Sequence, residues 1–386
     1  MLPQESQTAD ESMPEVQVNG DVLKWARDLR ALSLDDAAGL LGISSQELRE
    51  YEAGTKRPLV GLLRTMSAQY QINFASLLMP QRLPPPDRPA DHRERPWSTP
   101  LSIDTLVAME EINEAIDTFI DIASESERIV PSPNIGSAQL TENPEAVAAR
   151  ERVRFRISME EQQSWRGAAE ARRKWRQRLE DLGIFTYMIP MPPQELSGFS
   201  IFRDGVAAIC VNDRESTEGA KTFTFLHEYC HLLLRKTGIS DENNTNRIEK
   251  FCNEFAASFL IPRQALRREI GDVELPYEFS DSDVKHLSAR FRVSNRAIAL
   301  RLQETGFAPE GFYARRTGPW DIPTHLPPLK PGEQIDPKTI LIKRKGKLHA
   351  RTVLRAAKKR LIDSFDASEL LGLRPQFFEK LAARIT

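Results

Sequence analysis

The sequence predicts an α+β fold, mostly α, with an N-terminal helical domain, a central domain holding a small sheet, and a helical C-terminal region. Three observations carry this. Residues 21–80 split into short apolar-patterned segments with Gly-containing breaks. Residues 184–211 run or alternate apolar in strand-length pieces. Long helical patterns follow, and one of them contains His227-Glu228-Tyr229-Cys230-His231.

The chain has 386 residues, room for two or three domains of roughly 100–200 residues each. Its 40% hydrophobic content supports packed cores. A formal charge of −2 points to neither nucleic acid nor acidic partners for the whole molecule, so charge is read locally. Three cysteines, Cys210, Cys230 and Cys252, are too few and odd in number for a disulfide scaffold and suit a reducing cytoplasm. The opening Met1-Leu2-Pro3-Gln4-Glu5-Ser6 is too polar for a signal peptide, and no apolar run approaches the roughly 18 residues of a membrane span. A cytoplasmic protein without membrane contact is expected.

The elements follow in order. Residues 1–20 are polar and expected to be a disordered tail. In 21–80, Leu34 to Leu41 and Ser44 to Glu52 form helices about the turn Gly42-Ile43, and further helices follow from Leu59 and Asn73. Residues 81–100, with Pro84-Pro85-Pro86, read as a stiff linker. Residues 101–174 read as a helical connector, interrupted by a loop at 126–145. A domain over 175–310 opens with the strand Ile184 to Ile189 and a hairpin around Asp204-Gly205. Prolines mark a second linker at 311–337, and residues 338–386 should begin with a strand before turning helical.

The pentapeptide places two imidazoles at i and i+4, on one face of a helix, where both can reach one metal ion. Phe223 to Leu226 and Leu232 to Leu234 make that helix apolar nearly all round, so the polar trio is costly unless coordinated or paired. Ser216 or Thr217 can cap its start, and Arg235, Lys236 and Gly238 can stop it. A catalytic zinc site needs a third protein ligand and an open position. Of Glu242, Glu249 and Glu254, Glu249 best flanks the apolar face defined by Ile248, Cys252, Phe255 and Phe259. Asn253 lies one turn later on the same side, placed to orient a ligand through a histidine nitrogen. Glu228 is the natural general base beside a water activated by zinc, the combination that hydrolyses peptide bonds. The hairpin edge at 198–211 can take an extended peptide by strand addition.

Phe223 to Leu234, Glu249 to Pro262, Gly198-Phe199-Ser200, Ile209 to Asn212 and Phe291 to Leu302 together resemble the ImmA/IrrE metallopeptidases. The resemblance covers roughly residues 175–305. It implies a thermolysin-like (gluzincin-type) domain in which His227, His231 and Glu249 bind zinc and Glu228 is catalytic, with a repressor as substrate. Cys230 and Cys252 stand where the family usually has a small residue and an alanine; packing accounts for both.

Residues 21–80 resemble an XRE-type helix-turn-helix domain through Leu40 to Ser44, Tyr51 to Gly54 and Arg57-Pro58. That fold implies five helices, Ser45, Gln46 and Arg49 nearest the bases, and Lys56 and Arg57 on phosphates. Seven basic residues are matched by seven acidic ones in this segment, whereas phosphate binding favours a basic face. A role in dimerisation or repressor docking is the competing expectation. Residues 285–303 echo a helix-turn-helix around Val293 to Arg296, and 338–360 hold ten basic residues and no acidic one. The basic stretch at 338–360 can meet phosphate; its blander reading is a solvated helix face.

The expected function is a cytoplasmic zinc endopeptidase fused to a DNA-binding module, cleaving a repressor or antitoxin-like protein and forming a homodimer on paired half-sites. The rival is an XRE-type regulator or antitoxin whose metallopeptidase-like domain binds zinc as a sensor or interaction module without proteolysis.

Overall fold

The computed structural model describes residues 15–29, 32–70, 74–78, 101–126, 128–192, 195–234, 242–316 and 336–385. They fall into two compact units, one reaching residue 88 and taking in 99–111, the other holding the chain from residue 112.

The first unit is helical: α1 (Gly20–Leu29), α2 (Leu34–Leu41), α3 (Ser45–Glu52), α4 (Val60–Tyr70) and α5 (Phe74–Leu77). Ser33 and Ser44 cap α2 and α3, their hydroxyls accepting from the amides of Asp36 and Glu47. Gly42 ends α2 in the left-handed region at φ 69°. Leu23, Ala37, Leu48, Leu63, Met66 and Tyr70 fill the core. Residues 15–19, expected within a disordered tail, are ordered instead: Glu15 bridges Leu59, and the Val16 amide donates to Pro58 O at 3.0 Å. Val16 and Val18 explain it, because both pack on the core. Residues 1–14 and the linker at 81–100 lie outside the described residues.

Helix α6 (Ile103–Glu125) leads into the second unit, followed by α7 (Pro144–Phe155), α8 (Met159–Ser164) and α9 (Ala168–Asp181). Asn143 caps α7 twice and Pro144 opens it. The stretch from α7 to α9 shares a core with the sheet-bearing domain. Val147, Phe155, Trp165 and Trp175 belong to the same core as Phe225, Tyr229, Phe255 and Phe259. Long apolar side chains on their inner faces have no other surface to bury against.

The sheet has β1 (Ile184–Ile189), β2 (Gly198–Arg203) and β3 (Val206–Asn212) in the order β1-β3-β2, with β1 parallel and β2 antiparallel to β3. Asp204 and Gly205, at φ 46° and 81°, make the tight turn that the Asp-Gly pair predicts. The central strand β3 is buried throughout, as its unbroken apolar run requires.

Next come α10 (Glu218–Leu234), α11 (Glu242–Leu260), α12 (Arg263–Ile270), α13 (Asp281–Phe291) and α14 (Asn295–Glu304). Phe312, placed by sequence in a linker, is fully buried and stacks edge-on against Phe279, so this core extends to at least that residue. Residues 317–335, most of the expected second linker, lie outside the described residues.

The C-terminal region forms α15 (Pro337–Lys358), α16 (Ser364–Leu371), a 3₁₀ turn Pro375–Phe377 and α17 (Phe378–Ile385). The strand expected from residue 338 is absent: Asp336 caps a helix that Pro337 opens, and this local chemistry outweighs the β-branched Thr339-Ile340 and Ile342. α15 breaks at Gly346, whose φ of 79° and ψ of 170° suit glycine alone. The break is held by α9. Arg176 Nη1 donates to Lys343 O at 2.6 Å, while Glu180 Oε2 accepts the amides of Lys347 and Leu348, each at 3.1 Å. A cation thus takes a carbonyl on one side of the break and a carboxylate takes amides on the other, matching the helix dipoles.

Candidate metal centre and helix-turn-helix

Thr217 caps α10, its hydroxyl accepting from the Ala220 amide at 3.0 Å. The expected stop residues Arg235, Lys236 and Gly238 lie outside the described residues. α10 packs against α9, α11, β2 and β3, which buries it almost all round. His227 and Glu228 are inaccessible, while His231 keeps a small opening.

The two imidazoles face each other and α11. His227 Nε2 lies 3.1 Å from His231 Nε2. Glu249 reaches both, with Oε2 at 3.2 Å from His227 Nε2 and Oε1 at 3.2 Å from His231 Nε2. Asn253, one turn further along α11, places Oδ1 at 3.0 Å from His227 Nδ1. A carbonyl oxygen only accepts, so Nδ1 carries the proton and Nε2 of the neutral ring presents a lone pair. That lone pair points at a carboxylate oxygen, so two buried acceptors face each other. A cation between them resolves the conflict, and the donor set of two imidazole nitrogens and a carboxylate fits a divalent transition metal.

Glu242, read from sequence as a loop residue, opens α11 instead. Glu254 forms a surface pair with Lys250 at 3.9 Å, away from the histidines. Glu228 has an oxygen within 4.8 Å of the histidine nitrogens, but Glu249 makes the 3.2 Å approaches to both rings. Glu228 Oε2 instead accepts from Ser200 Oγ on β2 at 3.2 Å. Gly198 permits this approach: a Cβ there would meet Thr224 Cγ2 and Cys210 O at 2.6 Å and Glu228 Cγ at 3.4 Å. Sequence reasoning gave Ser200 no role, although the two-residue period of β2 sets it on the face of Gly198.

Behind the site, Tyr229 Oη donates to Glu151 Oε2 on α7 at 2.7 Å. Glu151 is fully buried and also accepts from Arg154 Nε at 2.9 Å. Gly136 leaves it room, since a Cβ there would lie 2.4 Å from Oε1. Neither Tyr229 nor Glu151 was singled out from sequence; an ionisable residue on an apolar helix face is the signal that marks Tyr229. Cys230 and Cys252 are buried and not disulfide-bonded. Burial and the Cys230 thiol hold the Cys252 thiol up, so packing suffices for both.

In the first unit, the residues expected to meet DNA split into two groups. Ser45 Oγ donates to Asp35 Oδ1, Gln46 Nε2 to Glu50 Oε1 at 3.0 Å and Lys56 Nζ to Glu47 Oε1 at 2.6 Å. Their polar groups are occupied by neighbouring carboxylates. Arg49 and Arg57 are exposed.

The model of the IrrE N-terminal-like domain, a peptidase family, matches residues 179–303, and a helix-turn-helix model matches residues 23–77. The chain joins a helix-turn-helix domain to an IrrE-like peptidase-family domain. The first match spans β1 to α14 and contains every residue of the proposed centre; the second spans α1 to α5. No curated protein matches the chain. A solved Mycobacterium tuberculosis transcriptional regulator is similar at 15% identity and a TM-score of 0.29, over 50% of this chain and 51% of that one. The match thus spans about half the regulator's length, and at that score it says nothing of function. No helix among the described residues is long and apolar enough to cross a membrane.

Proposed function

We propose that this protein is a zinc-dependent endopeptidase joined to a DNA-binding domain, and that it regulates transcription by cleaving a repressor or antitoxin-like protein. The observation that carries the reading is the opposed pair of acceptors, His227 Nε2 and Glu249 Oε2, with His231 Nε2 beside them. His227, His231 and Glu249 would hold the ion, and Asn253 fixes the His227 tautomer that ligation needs. When bound, zinc supplies Lewis acidity towards a peptide carbonyl and lowers the pKa of a water towards roughly 7.

Glu228 takes the proton of the attacking water on its carboxylate and returns it to the leaving amine. Ser200 holds one carboxylate oxygen, which sets the orientation of the other. β2 lies at one end of the sheet, so an extended substrate can add alongside it, near Glu228. Burial of His227 and Glu228 keeps bulk water from the proton transfer.

Glu228→Gln tests the reading. The variant should retain one zinc per chain by metal analysis and lose cleavage of its repressor or antitoxin-like substrate, together with derepression. Survival of derepression in Glu228→Gln would favour the regulator that senses through its zinc-bound domain without turnover. The acidic neighbours of Ser45, Gln46 and Lys56 are what keep that second reading in play, since they weaken the case for a strong DNA-reading face.

A further inference from the structure

We propose that the last three helical pieces form a second helix-turn-helix that binds double-stranded DNA, with α17 and the turn before it as the groove-facing element. This site is independent of the proteolytic reading.

The sequence repeats itself here. Ala37-Ala38-Gly39-Leu40-Leu41-Gly42-Ile43 of the first unit matches Ala367-Ser368-Glu369-Leu370-Leu371-Gly372-Leu373, and Gln46 and Gln376 follow at the same offset. The geometry repeats too. α2 and α16 are each eight residues long and each ends at a left-handed glycine, at φ 69° and 61°. Ile43 N bonds Ala38 O at 3.1 Å, and Leu373 N bonds Ser368 O at 3.2 Å, the same closure five residues back. Burial agrees at three positions: Ala37, Leu41 and Tyr51 are buried, and so are their counterparts Ala367, Leu371 and Leu381, while Phe378, opposite buried Leu48, is half-buried. The distal half of α15 supplies the third helix through Val353 and Ala356. The α2–α3 pair lies in the segment matched by the helix-turn-helix model, so the shape is a DNA-reading one.

Shape alone is insufficient, and α13–α14 shows why. It has the same arrangement, with Arg292 left-handed and Ser294 as the cap of α14. Yet Ile298, Ala299, Arg301 and Leu302 are buried, Arg301 binds Ile261 O and Glu145, and a Cβ at Gly219 of α10 would lie 2.8 Å from Ser294 N. Of α14, only Arg296 and Glu304 are exposed, and Arg296 is held by Tyr313. α17 and the turn before it differ: Gln376 in the turn and Lys380 and Ala383 on α17 are all exposed.

Charge supplies the partner. Residues 336–385 carry thirteen Lys and Arg against five Asp and Glu, whereas residues 21–80 carry seven of each. Lys358 at the end of α15, and Lys359 and Arg360 in the connection to α16, are exposed, the position from which helical DNA-binding domains touch the backbone. Arg374 and Lys380 are exposed around the start of α17. A polyanion with a groove is the fitting ligand.

The test uses the full chain and a labelled mixed-sequence duplex of about 30 base pairs, titrated between about 50 and 200 mM salt by fluorescence anisotropy. Arg49→Ala/Arg57→Ala first removes the exposed N-terminal arginines. Duplex binding should persist in that background. Adding Lys358→Ala/Lys359→Ala/Arg360→Ala should then weaken it about 10-fold or more and reduce the salt slope by about 3. Gln376→Ala/Lys380→Glu should also weaken binding, and an unchanged melting temperature separates either loss from unfolding. Unchanged affinity and slope in both C-terminal variants would overturn the proposal. So would complete loss of duplex binding in Arg49→Ala/Arg57→Ala alone. Failure of the N-terminal reading looks different: that variant would bind as the parent does.

Discussion

Asn253 Oδ1 lies 3.0 Å from His227 Nδ1, one helical turn beyond Glu249 on α11. One helix thus supplies both a carboxylate to the histidine pair and the group that fixes a histidine tautomer. Asn253→Ala should lower zinc affinity about 10–100-fold, because the ring is then free to turn and to carry its proton on Nε2. Competition against a chelator of known affinity measures this. Affinity equal to that of the parent would show that Asn253 does not act on the metal.

Tyr229→Phe should destabilise the fold by about 1–3 kcal/mol, since buried Glu151 loses its 2.7 Å donor. Zinc stoichiometry should stay unchanged, because Tyr229 points away from the histidines towards α7. Denaturant unfolding and metal analysis on the same sample check both halves. Zinc loss at full stability would contradict the arrangement.

His349 is fully buried, with Nε2 donating to Leu370 O at 2.9 Å and Nδ1 accepting from Tyr187 Oη at 3.1 Å. Burial, reinforced by the nearby Lys345, pulls its pKa down to about 3. Below about 6.5 the unfolded chain takes up a proton that the native ring refuses. Stability is therefore lost as pH falls from about 6.5 towards 3, at no more than about 1.4 kcal/mol per unit. His349→Gln should flatten the dependence of the unfolding midpoint between about pH 7 and 4.5 relative to the parent. Parallel curves would refute it.

Gly346→Ala places a Cβ 2.3 Å from Glu180 Oε1 and 3.0 Å from Thr186 O, at a backbone conformation that suits only glycine. A cost of about 2–4 kcal/mol is expected, read as a lower melting temperature. A change of under about 0.5 kcal/mol would mean that the break relaxes without the Arg176–Glu180 clamp.

Much of this was legible in the residues. The i, i+4 spacing of His227 and His231 and the one-turn spacing of Glu249 and Asn253 are local facts, and helix geometry turned them into one site. The Asp204-Gly205 hairpin was equally local. What escaped depends on contacts distant in sequence. Ser200 meets Glu228 across 28 residues and Glu151 meets Tyr229 across 78; periodicity sets Ser200 and Tyr229 on a face but does not name the partner. The segment from residue 338 misled for the opposite reason. Ile340 and Ile342 favour a strand locally, but the Asp336-Pro337 start and a docking surface on α9 and β1 made it helical.

The clamp at Gly346 also bears on where this protein can be divided. Among the described residues β1 pairs with β3 alone, and α15 packs against it from a point in the chain more than 30 residues past the family-matched span. A fragment trimmed to residues 179–303 would bare that strand and the apolar faces that α7 to α9 cover. Such an edge is a template for pairing with another chain, so the fragment should aggregate rather than fold. The family-matched span is thus shorter than the compact unit that holds it.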